Sequence, residues 1–142
     1  MKRNQFFVLS IVVLSWVVAG CIGQVTPELE GKLWKLDSYV NSDGNMVSVL
    51  PNTEITAQFQ SDTVGGSAGC NVYGGDSTIS GNAITISSIF TTEAYCYEPA
   101  GIMEQEYDYL AALESAAGYE IEGSTMEITN ADGDVILIFT AA

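Results

Sequence analysis

Two thiols, Cys70 and Cys96, are the side chains of this sequence best suited to covalent chemistry. A nucleophilic or redox-active cysteine needs a neighbouring base or cation that lowers the pKa of its thiol. The chain has no histidine, and beyond residue 3 its only basic residues are Lys32 and Lys35. Without histidine, Ser-His and Cys-His nucleophile pairs and the usual zinc ligand sets are excluded. The sequence therefore favours a structural role for both thiols, as one disulfide or as two buried side chains.

Cys70 lies in a glycine-rich stretch over residues 65–75, with the sequence GGSAGCNVYGG. Glycine leaves a strand without a side chain to pack, so a cluster this dense indicates bulges, positive φ angles or close approach of backbones. Strand-like residues flank the stretch at 63–64 and 76–80, which predicts a sharply bent β segment that presents Cys70 and Asn71 at a fixed point. We expect Asn71 to adopt a left-handed conformation or to satisfy nearby backbone groups; a catalytic role is the alternative.

Two segments resemble fragments of calcium loops, because residues 41–45 (NSDGN) and 130–134 (NADGD) carry oxygen-bearing side chains at alternate positions. Neither has the glycine at the sixth position or the bidentate glutamate at the twelfth that a calcium loop requires. Each contains the Asp-Gly pair that a tight hairpin turn prefers. We therefore predict turns at these segments, and neither a metal nor a cofactor.

The N-terminal segment has the pattern of an export signal. Lys2 and Arg3 precede an apolar run over residues 6–19, which ends in the small-small-Cys sequence at residues 19–21. A basic start, an apolar region of this length and small residues before a cleavage point are typical of a secretory signal. The small-small-Cys ending is the lipobox pattern, in which a lipid is attached to the cysteine sulfur.

We therefore expect a signal peptide over residues 1–20, a lipid on Cys21, a tether over residues 21–29 and a domain over residues 30–142. An uncleaved anchor and plain secretion are the alternatives, and each also exports the domain. In an exported domain, the two remaining cysteines indicate one disulfide. The predicted location is the outside of the cytoplasmic membrane, with the lipid on Cys21 as the membrane contact.

The chain is strongly acidic, with 18 Asp and Glu residues against four Lys and Arg residues and a net charge of −14. After cleavage before Cys21, two lysines would face the same 18 carboxylates, a net charge of −16. This charge excludes electrostatic binding of nucleic acid and argues against adhesion to anionic lipid headgroups. Most of it is expected to form a solvated exterior that keeps the domain soluble.

Alternation of apolar and polar residues predicts an antiparallel meander. Residues 54–60 show it most clearly, since Ile55, Ala57 and Phe59 fall on one face of a half-buried strand. The other strands are predicted at residues 33–39, 47–50, 83–89, 119–122, 125–129 and 135–140, besides the bent segment. The total is seven or eight strands.

Pro99 precedes the single predicted helix, over about residues 100–117, and Gly118 is its expected C-terminal stop. Apolar residues at a spacing of three to four form one stripe of this helix, namely Met103, Tyr107, Leu110, Leu113 and Ala117. Several strands with one late helix predict an α+β fold.

Several motifs occur in a fixed order over residues 29–140. They are Gly31-x-x-Trp34-x-Leu36, Gly69-Cys70-Asn71-x-Tyr73-x-Gly75, Thr92-x-x-x-Cys96, Met103-Glu104-Gln105-Glu106-x-x-Tyr109-Leu110-x-x-Leu113 and Asp132-Gly133. In this order they resemble the META domain family, the family of the heat-shock protein HslJ. The chain departs from the family pattern in charge. Family members often have a basic residue between the threonine and the second cysteine, where this chain has Glu93, Ala94 and Tyr95.

The resemblance implies a small α+β domain, a strongly curved and partly open β-barrel with one helix packed on it. The shape is similar to that of the pilot lipoproteins of secretion systems, which hold a lipid tail in a barrel crevice. Family members are often envelope lipoproteins or exported proteins, some linked to stress tolerance. No reaction is established for the family, so no catalytic residues carry over.

We therefore expect a non-catalytic, monomeric, lipid-anchored module that serves the envelope, with another envelope protein as its partner. Contact would be made through an exposed strand edge or through the helix face. The alternative is a carrier or sensor of a small apolar ligand held between helix and sheet, in a crevice lined by Met103, Tyr107, Leu110 and Leu113. An enzyme is the interpretation with least support.

Overall fold

A computed structural model describes residues 28–142. These residues form nine strands and one helix, so the predicted α+β class is confirmed. In chain order the elements are β1 (Leu33–Val40), β2 (Met46–Ser48), β3 (Thr56–Gln60), β4 (Thr63–Ser67), β5 (Val72–Ser80), β6 (Ala83–Thr91), α1 (Ile102–Glu114), β7 (Gly118–Glu122), β8 (Thr125–Thr129) and β9 (Val135–Ala141). The predicted signal peptide, the lipidation site Cys21 and most of the tether lie outside the described residues. Within residues 28–142, no helix is both long and apolar enough to cross a membrane.

All nine strands belong to one antiparallel sheet that curves round on itself. The strand order is β2-β1-β3-β4-β5-β6-β7-β8-β9, and β9 also pairs with β1, which turns the sheet into a ring. The ring is not a clean barrel, because β6 and β7 share a single residue pair, Ala83 with Gly118. Helix α1 packs against β1, β6 and β9. The predicted strongly curved, partly open sheet with one packed helix is therefore confirmed.

The strand count is nine because the glycine-rich stretch forms two strands. Strands β4 and β5 pair with each other in a hairpin, from Thr63 opposite Asp76 to Ser67 opposite Val72. The prediction of one bent segment was wrong at this point. Glycines have no side chain to alternate between two faces, so the sequence pattern could not show the pairing.

The core fills the ring and the space beneath the helix. Trp34, Phe59, Leu113 and Phe139 are all fully buried, and each contributes roughly 1.5–3 kcal/mol by leaving water. The predicted alternation of β3 is confirmed on its inner face, where Ala57 and Phe59 have no solvent exposure.

The apolar stripe predicted for the helix was partly wrong. The buried residues of α1 are Ile102, Gln105, Glu106, Tyr109, Ala112 and Leu113. Leu113 is buried as predicted, but Tyr107 is 71% exposed. The buried face includes two polar residues, Gln105 and Glu106, and is therefore rotated around the helix axis from the predicted apolar stripe. A count of apolar residues alone cannot find such a face.

The two calcium-like segments are turns, as predicted. The Oδ1 atom of Asn41 accepts hydrogen bonds from the backbone N–H groups of Asp43 and Asn45, at 3.1 and 2.9 Å. Asn130 makes the same pair of bonds in the turn between β8 and β9. The asparagine oxygens at these turns therefore bind their own backbone.

Among the described glycines, Gly66 of β4 has the closest neighbour to where a Cβ would lie. We expect Gly66→Ala to lower the free energy of unfolding by about 3 kcal/mol. A Cβ atom there would overlap the backbone carbonyl of Thr56 and lie 2.7 Å from its carbon, so β3 and β4 would have to separate. Denaturant unfolding followed by tryptophan fluorescence measures the effect. Gly74→Ala is the control, because the three atoms nearest its Cβ would all belong to the Phe90 ring, which is 68% exposed and free to swing away. Equal losses for both variants would contradict the argument.

Candidate functional site

The family motif surrounds the turn between β4 and β5, residues 68–71. Gly69 has a φ angle of 110°, which favours glycine over any residue with a side chain. Its Cα faces α1, where a Cβ would lie 3.5 Å from Gln105 and 3.8 Å from Ile102. This turn therefore lies directly against the first turns of the helix.

Glu106 of α1 binds the turn through both oxygens of its carboxylate. Its Oε2 atom accepts hydrogen bonds from the backbone N–H groups of Cys70 and Asn71, at 3.1 and 2.6 Å. Its Oε1 atom accepts a bond from Nδ2 of Asn71 at 2.6 Å. Glu106 is only 6% exposed. Three donors aimed at one buried carboxylate offset the loss of its hydration, as buried charge requires.

Asn71 joins the turn to the segment that leads into the helix. Besides its bond to Glu106, its Nδ2 atom donates to the carbonyl of Ala94 at 3.0 Å. Its Oδ1 atom accepts from the hydroxyl of Thr92 and the N–H of Ala94, both at 2.8 Å. The expectation that Asn71 satisfies backbone groups is confirmed, whereas the left-handed conformation was wrong, since its φ angle is negative.

Cys70 and Cys96 form the predicted disulfide, with their Cα atoms 5.8 Å apart. The bond ties the turn to residues 92–101, which connect β6 to α1 and which we call the stapled loop. The backbone N–H of Cys96 also donates to the sulfur of Met103 at 3.4 Å. The disulfide and Asn71 thus hold the stapled loop against the turn, and Glu106 holds the same turn against the helix.

Two buried tyrosines extend into the core the polar cluster formed by Asn71, Glu106 and the disulfide. The hydroxyl groups of Tyr73 and Tyr109 are 2.7 Å apart, and that of Tyr73 donates to the carbonyl of Thr56 at 3.0 Å. Since Tyr73 has one proton to give, Tyr109 donates to Tyr73. Burial raises the pKa of both phenols well above the usual value.

These raised pKa values predict a loss of stability in alkali. Unfolded tyrosines release their protons near pH 10.0, where the folded protein still holds those of Tyr73 and Tyr109. The unfolded state therefore binds fewer protons above that pH, so the free energy of unfolding falls as the pH rises and is unaffected below it. Denaturant unfolding between about pH 8 and 11 measures the slope. Tyr73→Phe should flatten it and Tyr97→Phe, at an 83% exposed residue, should not; equal slopes would contradict the assignment.

Gln105 is the second buried polar residue of the helix, with 1% of its surface exposed. Its Oε1 atom accepts from the N–H of Leu50 at 2.6 Å, and its Nε2 atom donates to the hydroxyl of Thr53 at 3.0 Å. Gln105 and Glu106 belong to the family motif, but the sequence pattern predicted no contacts for them. The sequence does contain one indication that Glu106 is buried. Glu106 precedes the buried Tyr109 by three residues and so shares its helix face.

The cluster is saturated with internal bonds. Each polar side chain described in it has a protein partner. These bonds fix the turn, the stapled loop and the helix to one another. Among residues 28–142, no three His, Cys, Asp or Glu side chains lie close enough together to hold a metal ion.

The four residues of the predicted crevice do not meet in one place. Leu113 lies in the core, and Met103 lines a cleft beside the stapled loop. Tyr107 and Leu110 line an open groove of about 290 Å³ between α1 and β6. Among residues 28–142, this helix–strand groove is lined by Ile89, Thr91, Tyr107, Leu110, Ala111 and Glu114.

Exposed aromatic side chains are concentrated around the stapled loop. Tyr95 and Tyr97 are 67% and 83% exposed, and their rings meet edge to face with centroids 5.0 Å apart. Phe90 at the end of β6 and Tyr107 on α1 are also exposed. The neighbouring charged residues of the loop are Glu93 and Glu98.

Comparison with known proteins agrees with this architecture. A sequence model of the META domain matches residues 27–142. A protein from Burkholderia xenovorans, solved by NMR, has a TM-score of 0.64 and 23% identity over 81% of this chain and 84% of that chain. A second NMR structure has a TM-score of 0.58 and 20% identity over 82% of this chain and 95% of that chain. No curated protein matched the sequence. At these identities, the two structures support the fold alone.

Proposed function

The chain belongs to the META domain family, and from that premise we propose that it is a lipid-anchored binding module of the cell envelope. It acts by holding a protein partner and not by catalysing a reaction. The observation that carries this proposal is that the side chains of the family motif bond to other parts of the protein. Asn71 and the disulfide hold the stapled loop, and Glu106 holds the turn to which that loop is tied.

A loop fixed in this way presents Tyr95 and Tyr97 to solvent at little cost in conformational entropy. Tyrosine is enriched at protein interfaces because its ring offers a large apolar area and its hydroxyl a hydrogen bond. Order imposed before binding also reduces the entropy lost on association. The structure thus supports a contact surface whose centre is this tyrosine pair.

Anchoring through Cys21 is supported by the export pattern at the N-terminus. Residue 28 follows Cys21 by seven residues, which span at most about 25 Å. A lipid on Cys21 would therefore keep the domain close to the membrane surface. Replacing Cys21 with serine should abolish incorporation of labelled fatty acid and release the protein from the membrane fraction. Retention of both would overturn the anchoring proposal.

Site-directed photo-crosslinking in the native envelope tests the binding proposal. A photoreactive side chain at position 97 should give one discrete adduct with an envelope protein, and Tyr95→Ala should weaken it. The same side chain at the exposed position 132, in the turn between β8 and β9, is the matched control. Absence of an adduct at position 97, or the same adducts at both positions, would overturn the proposal.

A carrier of a small apolar ligand is the second candidate, supported by the helix–strand groove with Ile89 and Leu110 in its walls. Native mass spectrometry of protein purified gently from its own membrane separates the two functions. An extra mass of lipid or metabolite size, absent from Leu110→Trp, would favour the carrier. A protein without added small-molecule mass would favour the interaction module.

A further inference from the structure

The seam between β6 and β7 is the one place where the described ring does not close. The two strands share the pair Ala83 and Gly118, flanked by hydrogen bonds from Ile84 N–H to Ala117 at 3.1 Å and from Tyr119 N–H to Asn82 at 2.9 Å. Strand β6 continues for several residues, but no strand within residues 28–142 pairs with it on that side. Most of β6 therefore forms a sheet edge.

Every second residue of this edge points its backbone N–H and C=O groups into the seam. Successive residues of a strand point their N–H and C=O groups to opposite sides, and Thr92 donates to Val72 of β5. Ile89 and Thr91 consequently point their backbone groups away from β5. A bulge at Ser88, whose φ angle is 55°, sets this phase for the second half of the strand.

This edge lacks most of the features that usually protect a free strand. Proteins protect such edges with charged residues, prolines or a covering element. Residues 85–91 (TISSIFT) contain neither a charge nor a proline. The element opposite is α1, and the helix–strand groove separates the two along Ile89 and Thr91.

We propose that this groove accepts an extended segment of a partner protein as an added strand beside β6. The inference rests on the proposed binding function and names the chemistry of the partner. Main-chain groups of the segment would pair with Ile89 and Thr91. Every second side chain would enter the groove against Tyr107, Leu110 and Ala111. An edge of unpaired amide groups at strand spacing matches another strand, whereas a lipid tail cannot satisfy it.

The charge of the groove selects a basic segment. Helix α1 carries Glu104, Asp108 and Glu114 on its accessible surface and has no lysine or arginine. Glu114 itself lines the groove. A segment that alternates apolar residues with lysine or arginine would complement both the apolar wall and the carboxylates. A second copy of this acidic chain would be repelled.

Titration of the 15N-labelled exported domain with a synthetic octapeptide of alternating valine and lysine tests the proposal. We expect shifts confined to β6 and α1, with slowed amide exchange at Ile89 and Thr91. Glu114→Lys and Thr91→Pro should each weaken binding at least tenfold. Glu120→Lys on β7 is the matched control and should leave binding unchanged. A peptide of alternating valine and glutamate should not bind.

Glu114→Lys keeps the test valid if Thr91→Pro fails to fold, because a lysine at the end of a helix suits the helix dipole. Binding of the acidic peptide, shifts outside the groove, or concentration-dependent dimers would each overturn the proposal. The envelope crosslink separates this inference from the proposed function. An adduct at position 97 with no peptide binding at β6 would refute the added strand and leave the binding module standing.

Discussion

Replacing Glu106 with alanine is expected to lower the free energy of unfolding by about 3–5 kcal/mol. The change removes the acceptor of three hydrogen bonds and leaves the N–H groups of Cys70 and Asn71 and the Asn71 amide without it. A buried donor without a partner costs about 1–3 kcal/mol. Urea unfolding followed by tryptophan fluorescence measures the loss.

Glu104→Ala is the matched control for this prediction. Glu104 lies two residues earlier on the same helix but is exposed to solvent, so its loss should change stability by under about 0.5 kcal/mol. Glu106→Gln should fall between the two, because its amide retains one oxygen but turns a donor towards Asn71. Similar stability of the Glu106 and Glu104 variants would show that the buried carboxylate is not what holds the turn.

Removal of the disulfide is expected to lower the free energy of unfolding by about 3–4 kcal/mol, from the entropy of closing its loop. The two cysteines are 26 residues apart in the sequence. Comparing the protein with its Cys70→Ala/Cys96→Ala variant in the same denaturant series gives this value. Mass spectrometry of alkylated, unreduced protein checks the pairing, since two added alkyl groups would contradict it.

The two losses should not add. Glu106 and the disulfide both fix the turn at Cys70, and residues that share a partner are energetically coupled. Combining Glu106→Ala with the cysteine variant therefore measures how cooperatively the stapled loop is held. If the module binds through Tyr95 and Tyr97, both variants should also weaken the crosslink at position 97, through loss of loop order and not of contact atoms.

The likeness to the META family is visible in the amino-acid sequence, because the family's motifs occur in order along the chain. The family match and the ring of strands agree with it. The disulfide was also predictable, since two thiols without a neighbouring base have few other roles. Export and the lipid on Cys21 depend on the N-terminal pattern and stay predictions.

The amino-acid sequence by itself determined the elements whose side chains alternate or repeat. Strand β3, the turns at Asn41 and Asn130 and the buried Leu113 follow from local rules of burial and turn chemistry. These rules act between near neighbours, which is why one sequence suffices to apply them.

Tertiary structure alone decided the rest. Glu106 is buried because donors from Cys70 and Asn71, 36 and 35 residues away, converge on it. The glycines of β4 and β5 form a hairpin that no side-chain pattern could reveal, and β6 keeps an open edge because β7 diverges after one pair. Each outcome depends on backbone groups brought together from distant parts of the chain. A hydropathy pattern cannot show this, because it reports only what each side chain gains by leaving water.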